Sequence, residues 1–135
     1  MPDTATALAR AQRIADATLA AAHSAGCGVS VVVVDEQGDP IILIRDGARW
    51  FTADVARAKA ATAARMGAPT ETLSALRATY PELWEQLVRL LPEATTLGGG
   101  LPVQVDGVLV GAVGVSGGTV EQDIAFAAAG IAAAQ

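Results

Sequence analysis

The stretch that most constrains this chain runs from Gly98 to Asp123, GGGLPVQVDGVLVGAVGVSGGTVEQD. Asp106-Gly107 sits between the runs Leu101-Pro102-Val103-Gln104-Val105 and Val108-Leu109-Val110. An Asp-Gly pair so placed predicts a two-residue hairpin, because both central residues of a type I′ turn need positive φ. Gly111 and Gly114 interrupt the second strand, where glycine marks a bulge or a close backbone approach. Ser116-Gly117-Gly118 ends that strand. Thr119, with Gln122 three residues on, predicts a capping box and a helix start. Glycines at a helix N-terminus leave N–H groups that favour a carboxylate or phosphate. They equally serve plain turning and close packing. Gly98, Gly99, Gly100, Ser116, Gly117, Gly118 and Thr119 are therefore candidate ligand-binding residues.

The rest of the chain predicts helix, hairpin, helices, hairpin, helix. Leu8, Ala11, Ala15, Leu19 and Ala22 recur at helical spacing over residues 4–24, ending at His23 and Gly26. His23 is the sole histidine, so any imidazole chemistry uses it; its alternative is to meet the helix dipole. The runs 29–34 and 41–44, joined by Asp35–Pro40, predict a hairpin. Their near-continuous Val and Ile predict cover on both faces. A loop of Arg45, Asp46, Arg49, Trp50 and Phe51 follows, the place where function collects on a rigid sheet. Thr52 is the expected cap of a helix over 53–66, with Val55, Ala58, Ala61, Thr62 and Arg65 on its spacing. Lys59, the one lysine, pairs either with a ligand carboxylate or with Asp54 or Asp46. Thr70 is read as capping a short helix, and Pro81 opens another over 82–91. This helical insert is read as packing, or as a lid or interface element. Thr95-Thr96-Leu97 is a candidate short fifth strand. The last helix, 119–134, is expected to bury Ile124, Ala127, Ala128 and Ile131. Asp46, Glu121 and Asp123 are the candidate acid/base carboxylates.

Composition narrows the partners. The 135 residues are 52% hydrophobic but only 4% aromatic, which fits one domain with an alanine- and valine-rich core. The net charge of −5 with no basic patch argues against nucleic acid. No apolar run is long enough to span a membrane. Residues 1–10 have no apolar leader core, and the single Cys27 forms no internal disulfide, so a cytoplasmic protein is expected.

Taken together, these motifs resemble the GlcG/HbpS family, the haem-binding-protein-like domain also found at the C-terminal end of PduO-type cobalamin adenosyltransferases. The matching pieces are Val33-Val34-Asp35 with Gly38, Asp46-Gly47-Ala48, Ala56-Arg57-Ala58-Lys59-Ala60, Gly99-Gly100-Leu101-Pro102, Val105-Asp106-Gly107, and Gly111 through Thr119 running on to Glu121-Gln122-Asp123. They cover nearly the whole chain in order. The resemblance implies one domain over 1–135, of the α/β (α+β) class. It implies a profilin-like three-layer α/β/α fold whose five-stranded antiparallel sheet has helices on both faces. It also implies a homo-oligomer, and an association with haem or with glycolate or propanediol utilisation. This chain departs from the family in having Asp39-Pro40 after the first-hairpin glycine, where many members have histidine. It has Arg45 where methionine often precedes Asp-Gly-Ala.

Two functions compete. In the first, haem is the ligand, with His23 as axial residue, Tyr80, Cys27 or Met66 behind it, and Arg45, Arg49 or Lys59 meeting the propionates. In the second, a cofactor-independent isomerase, lyase or hydratase acts on a small carboxylate or carbonyl compound. The glycine loops would hold its oxyanion, and Asp46, Glu121, Asp123 or His23 would move the proton. A carrier without turnover is a third possibility.

Overall fold

The computed structural model describes residues 4–135; residues 1–3 of the segment read above for a leader lie outside them. Helix α1 (Thr4–Ser24) leads to a hairpin of β1 (Val29–Asp35) and β2 (Pro40–Asp46). Helix α2 (Phe51–Met66), a 3-10 turn (Thr70–Thr72), α3 (Leu73–Thr79) and α4 (Pro81–Leu90) come next. The hairpin of β3 (Gly100–Val105) and β4 (Val108–Ser116) is followed by α5 (Val120–Ala134). The strands form one antiparallel sheet in the order β2-β1-β4-β3.

Helices sit on both faces. On one face α1 and α5 cover Val29, Val31, Val33, Val103, Val113 and Val115. On the other, α2 lies over Val32, Val34 and Ala112 through Ala56, Ala60, Ala63 and Ala64. Strand β1 is central and alternates between the two cores, which is why it reads as unbroken valine. Strand β2 carries a similar run but is an edge, with Leu43 exposed.

The sheet has four strands, not five. Thr95-Thr96-Leu97 stays a loop because side-chain hydroxyls take its backbone groups. Thr95 N–H donates to Thr62 Oγ1, Leu97 N–H to Thr95 Oγ1, and Leu97 O accepts from Thr70 Oγ1. Thr70 is thereby committed to this loop, and the residue before the 3-10 turn is Pro69. Thr52 likewise lies inside α2 rather than at its cap; its hydroxyl donates back to Arg49 O. The buried stripe of α2 falls on Ala56, Lys59, Ala60 and Ala63 beside Ala61 and Thr62, while Arg65 is exposed and donates to Gln37 O. In α5 the buried residues are Asp123, Phe126, Ala127 and Gly130, and Ala128 faces outward.

The expected hairpin turn is present, with φ of 51° at Asp106 and 78° at Gly107. Gly114 is a close approach: a Cβ there would lie 2.0 Å from Ala56 O and 2.6 Å from Ala60 N. Backbone stands on both sides, so no side-chain rotation relieves the clash. Gly114→Ala is therefore expected to lower stability by about 1–3 kcal/mol or more, measured as a lower urea midpoint at unchanged slope. An unchanged midpoint would show that α2 does not rest on this contact.

Candidate functional site

The sheet order brings three loops to one end of the molecule. Val29 pairs with Asp46, and Ser30 pairs with Ser116. The loops after α1, β2 and β4 therefore converge. They line a cleft of about 600 Å³ through residues 26–28, 47–49 and 116–118, together with Phe51 and Thr52 of the first α2 turn. That size lies in the range of small-molecule sites. The crevice under α1 beside Ala11, Ile14 and Val103, about 10 Å³, has room for one water. Gly28 and Gly47 touch across the cleft base; a Cβ on Gly28 would stand 2.0 Å from Gly47 O.

The aromatic and cationic loop forms one wall. Arg49 is exposed and lines the cleft. Trp50 and Phe51 pack edge to face, ring centres 5.8 Å apart, and Trp50 stays 74% exposed. Arg45 is occupied differently: its Nη1 donates to Ala48 O at 2.8 Å and pins the loop.

His23 and Asp46 meet at the rim. His23 Nε2 lies 2.6 Å from Asp46 Oδ2, and both side chains are open to solvent. Gly26 N–H donates to His23 O, and Gly47 follows Asp46, so both residues adjoin the cleft lining. The histidine of the last α1 turn thus has a specific carboxylate partner in addition to the helix end.

Lys59 and Asp123 do not face the cleft openly; they form a buried ion pair beneath it. Each residue is 3% exposed. Lys59 Nζ donates to Asp123 Oδ2 at 3.2 Å and to Val115 O at 2.8 Å. Asp123 Oδ1 accepts from Gly118 N–H at 2.9 Å, so the pair holds the loop that lines the cleft. Burial lowers the Lys59 pKa from its ordinary 10.5, opposed by the charge and hydrogen bond of Asp123. The partner of Lys59 is thus Asp123, not Asp54 or Asp46. Sequence spacing has no signal for a pair 64 positions apart.

The glycine triplet is committed to packing. Gly98 abuts Val120 and Ile124, Gly99 O accepts from Val115 N–H, and Gly100 N–H donates to Thr70 Oγ1. A Cβ on Gly99 would stand 2.9 Å from Lys59 Nζ. None of the three lines the cleft. Ser116, Gly117 and Gly118 do. Thr119 and Gln122 make the expected capping box, which uses the Thr119 N–H and hydroxyl. Glu121 is exposed on the first turn of α5. Cys27 lines the cleft; Tyr80 and Met66 lie outside its lining. Among the described residues, no group of three or more His, Cys, Asp or Glu side chains is placed to hold a metal ion, and no helix is long and apolar enough to cross a membrane.

The buried pair makes two expectations. Lys59→Met alone leaves an uncompensated Asp123 carboxylate and is expected to cost about 3–5 kcal/mol, whereas Lys59→Met with Asp123→Leu recovers much of it. Chemical denaturation of the three proteins checks this; an additive double variant would mean the two charges do not interact. Separately, an amine-acylating reagent is expected to modify Lys59 only on unfolding. Peptide mass spectrometry showing rapid native labelling at Lys59 would contradict its burial.

A family model described as haem degrading protein HbpS-like matches residues 7–132. An uncharacterised 15.0 kDa protein from the dhaT-dhaS intergenic region of Citrobacter freundii is 36% identical over 117 residues, 86% of this chain and 82% of that one. The corrinoid adenosyltransferase PduO of Salmonella typhimurium is 36% identical over 106 residues, 78% of this chain. The match covers 32% of PduO, so this chain spans about a third of that protein. A crystal structure of a PduOC:heme complex superposes with a TM-score of 0.83 at 32% identity, covering 92% of this chain and 91% of that one. A Streptomyces reticuli HbpS double mutant superposes with a TM-score of 0.83 at 37% identity, over 93% and 84% of the two chains. The chain belongs to the HbpS-like family.

Proposed function

We propose that this protein binds haem in the cleft between the three loops, with His23 as axial ligand. The observation that carries the reading is the His23–Asp46 pair at the cleft rim. A metal-ligating histidine characteristically gives its other ring N–H to a carboxylate, which fixes the tautomer and raises ligand basicity. With Nε2 engaged by Asp46, Nδ1 is the ring nitrogen left for a ligand. The surroundings also fit a planar, acidic ligand: Trp50 and Phe51 offer apolar surface, and Arg49 offers a cation for a propionate. The heme complex of PduOC, similar over most of its length, supports the choice of ligand. Bound haem would supply an iron centre with redox and ligand-binding chemistry. His23 would hold it, and Arg49, Trp50 and Phe51 would orient it.

The same dyad supports a second reading. An imidazole oriented by a carboxylate is also a general acid/base. Of the candidate carboxylates, Asp46 alone adjoins the cleft with a histidine; Asp123 is held by Lys59 and Glu121 points to solvent. A proton-transfer enzyme on a small carboxylic or carbonyl compound would use His23 and Asp46.

Haemin titration of the purified protein, read in the Soret region, separates the two. Saturable binding is expected, weakened at least ~10-fold in His23→Ala and about 10-fold in Asp46→Asn. Saturable binding unchanged in His23→Ala removes His23 as the ligand. With no saturable binding haem drops out. Deuterium exchange at the α-carbon of small acids, lost in His23→Ala, then tests the second reading.

Self-association is the remaining proposal. Helix α4 has no buried residue among its ten, and Leu83 and Leu90 are 48% and 78% exposed. An amphipathic helix with its apolar side uncovered is suited to packing against a second copy of the chain. Light scattering is expected to give an oligomer that Leu83→Glu with Leu90→Glu shifts toward monomer. A monomeric wild type would refute this.

A further inference from the structure

The base of the cleft carries a hydroxyl that the fold does not use. Ser116, the last residue of β4, is 7% exposed and lines the cleft. Its Oγ makes no hydrogen bond with any described residue and is open to the cleft rather than sealed from solvent. The neighbouring hydroxyls are committed. Thr52 Oγ1 donates to Arg49 O, so Ser30 Oγ, 2.9 Å away, donates to Thr52. Ser30 is the cross-strand partner of Ser116. A hydroxyl that the fold leaves unpaired and that opens on the cleft takes its partner from what occupies the cleft, water or a ligand.

The side chains that line the cleft carry one sign of charge; Asp54, on the first turn of α2, is exposed and outside the lining. The protein carries a net −5, yet no Asp or Glu lines the cleft. Arg49 does, and its guanidinium pairs with no described carboxylate. The carboxylate behind Gly118, Asp123, is balanced by Lys59; the one before Gly47, Asp46, faces His23. Helix α2 starts at Phe51 and turns its N-terminal end to the same cleft through Phe51 and Thr52. That end carries the positive pole of the helix dipole.

We propose that Ser116 Oγ, the Arg49 guanidinium and the first turn of α2 form a carboxylate subsite. It rests on the reading of the cleft as a ligand site and names the group by which the ligand is held. The hydroxyl donates to one carboxylate oxygen and the guanidinium supplies charge-assisted hydrogen bonds. The carboxylate belongs either to the propionate arm of a tetrapyrrole or to a free small acid.

Two probe pairs test this. The first is sodium propionate against propionamide, of the same shape without the charge, followed by amide NMR shifts. The second is haemin against haemin dimethyl ester, followed in the Soret region. Propionate is expected to shift the amides of 116–118 and 51–53 saturably, with propionamide at least ~10-fold weaker. Ser116→Ala and Arg49→Gln should each reduce that preference several-fold. A haemin-over-ester preference that falls in Ser116→Ala identifies a tetrapyrrole arm; propionate binding without such a preference identifies a free acid. Both outcomes support the subsite. Equal response to propionate and propionamide, with haemin and its ester bound alike, overturns it. Haemin binding that depends on His23 but not on the carboxylates, together with no preference for propionate over propionamide, overturns the subsite and leaves haem standing. Propionate binding without haemin binding does the reverse.

Discussion

The buried pair of Lys59 and Asp123 is the contact on which the functional end of the molecule depends. Two charges are taken out of water between α2 and α5, and each is given further partners. Val115 O accepts from the ammonium, and Gly118 N–H donates to the carboxylate. The four groups join α2, the end of β4, the glycine loop and the start of α5. A buried ion pair is poor evidence for added stability, because desolvation offsets the attraction. Its effect here is geometric. It fixes one backbone orientation for the loop at 117–118, and it cancels a carboxylate that would otherwise face the cleft from behind.

Small residues make that pair possible. Alanines on α2 and Gly114 on β4 let the helix backbone lie directly on the sheet. At this spacing Lys59 reaches past β4 to Asp123, and Gly99 leaves space for its Nζ. The glycine triplet thus serves the site indirectly. It contributes no surface to the cleft, but it admits the side chain that holds the loop which does.

The sheet order then sets what meets what. Because β1 is flanked by β2 and β4, the ends at Asp46, Val29 and Ser116 lie side by side. A histidine from α1, a carboxylate from the end of β2, an arginine from the β2–α2 loop and a serine from β4 are gathered at one end. Most of the apolar core lies elsewhere, so this end can be polar and open without loss of packing.

Local chemistry was legible in the sequence. The Asp106-Gly107 hairpin, the Thr119–Gln122 capping box, the span of α1 and the family motifs all depend on residues within a few positions of each other. Their physics, positive φ, capping and helical period, acts at that range. Ser116, Gly117, Gly118 and Arg49 were also identifiable as candidates, since loop glycines and a cationic rim are local features. Other assignments needed the fold. Thr52 and Thr70 look like helix caps, yet Thr52 donates back to Arg49 O and meets Ser30, and Thr70 donates to the distant Leu97 O. Thr95–Leu97 has strand-forming residues, yet its backbone groups are taken by threonine hydroxyls, its own Thr95 and the distant Thr62 and Thr70. The pairing of His23 with Asp46 and of Lys59 with Asp123, and the unused Ser116 hydroxyl, were decided by tertiary structure alone. Ion pairs and free hydroxyls depend on which distant groups arrive within about 3 Å, and strand order, not spacing, determines that.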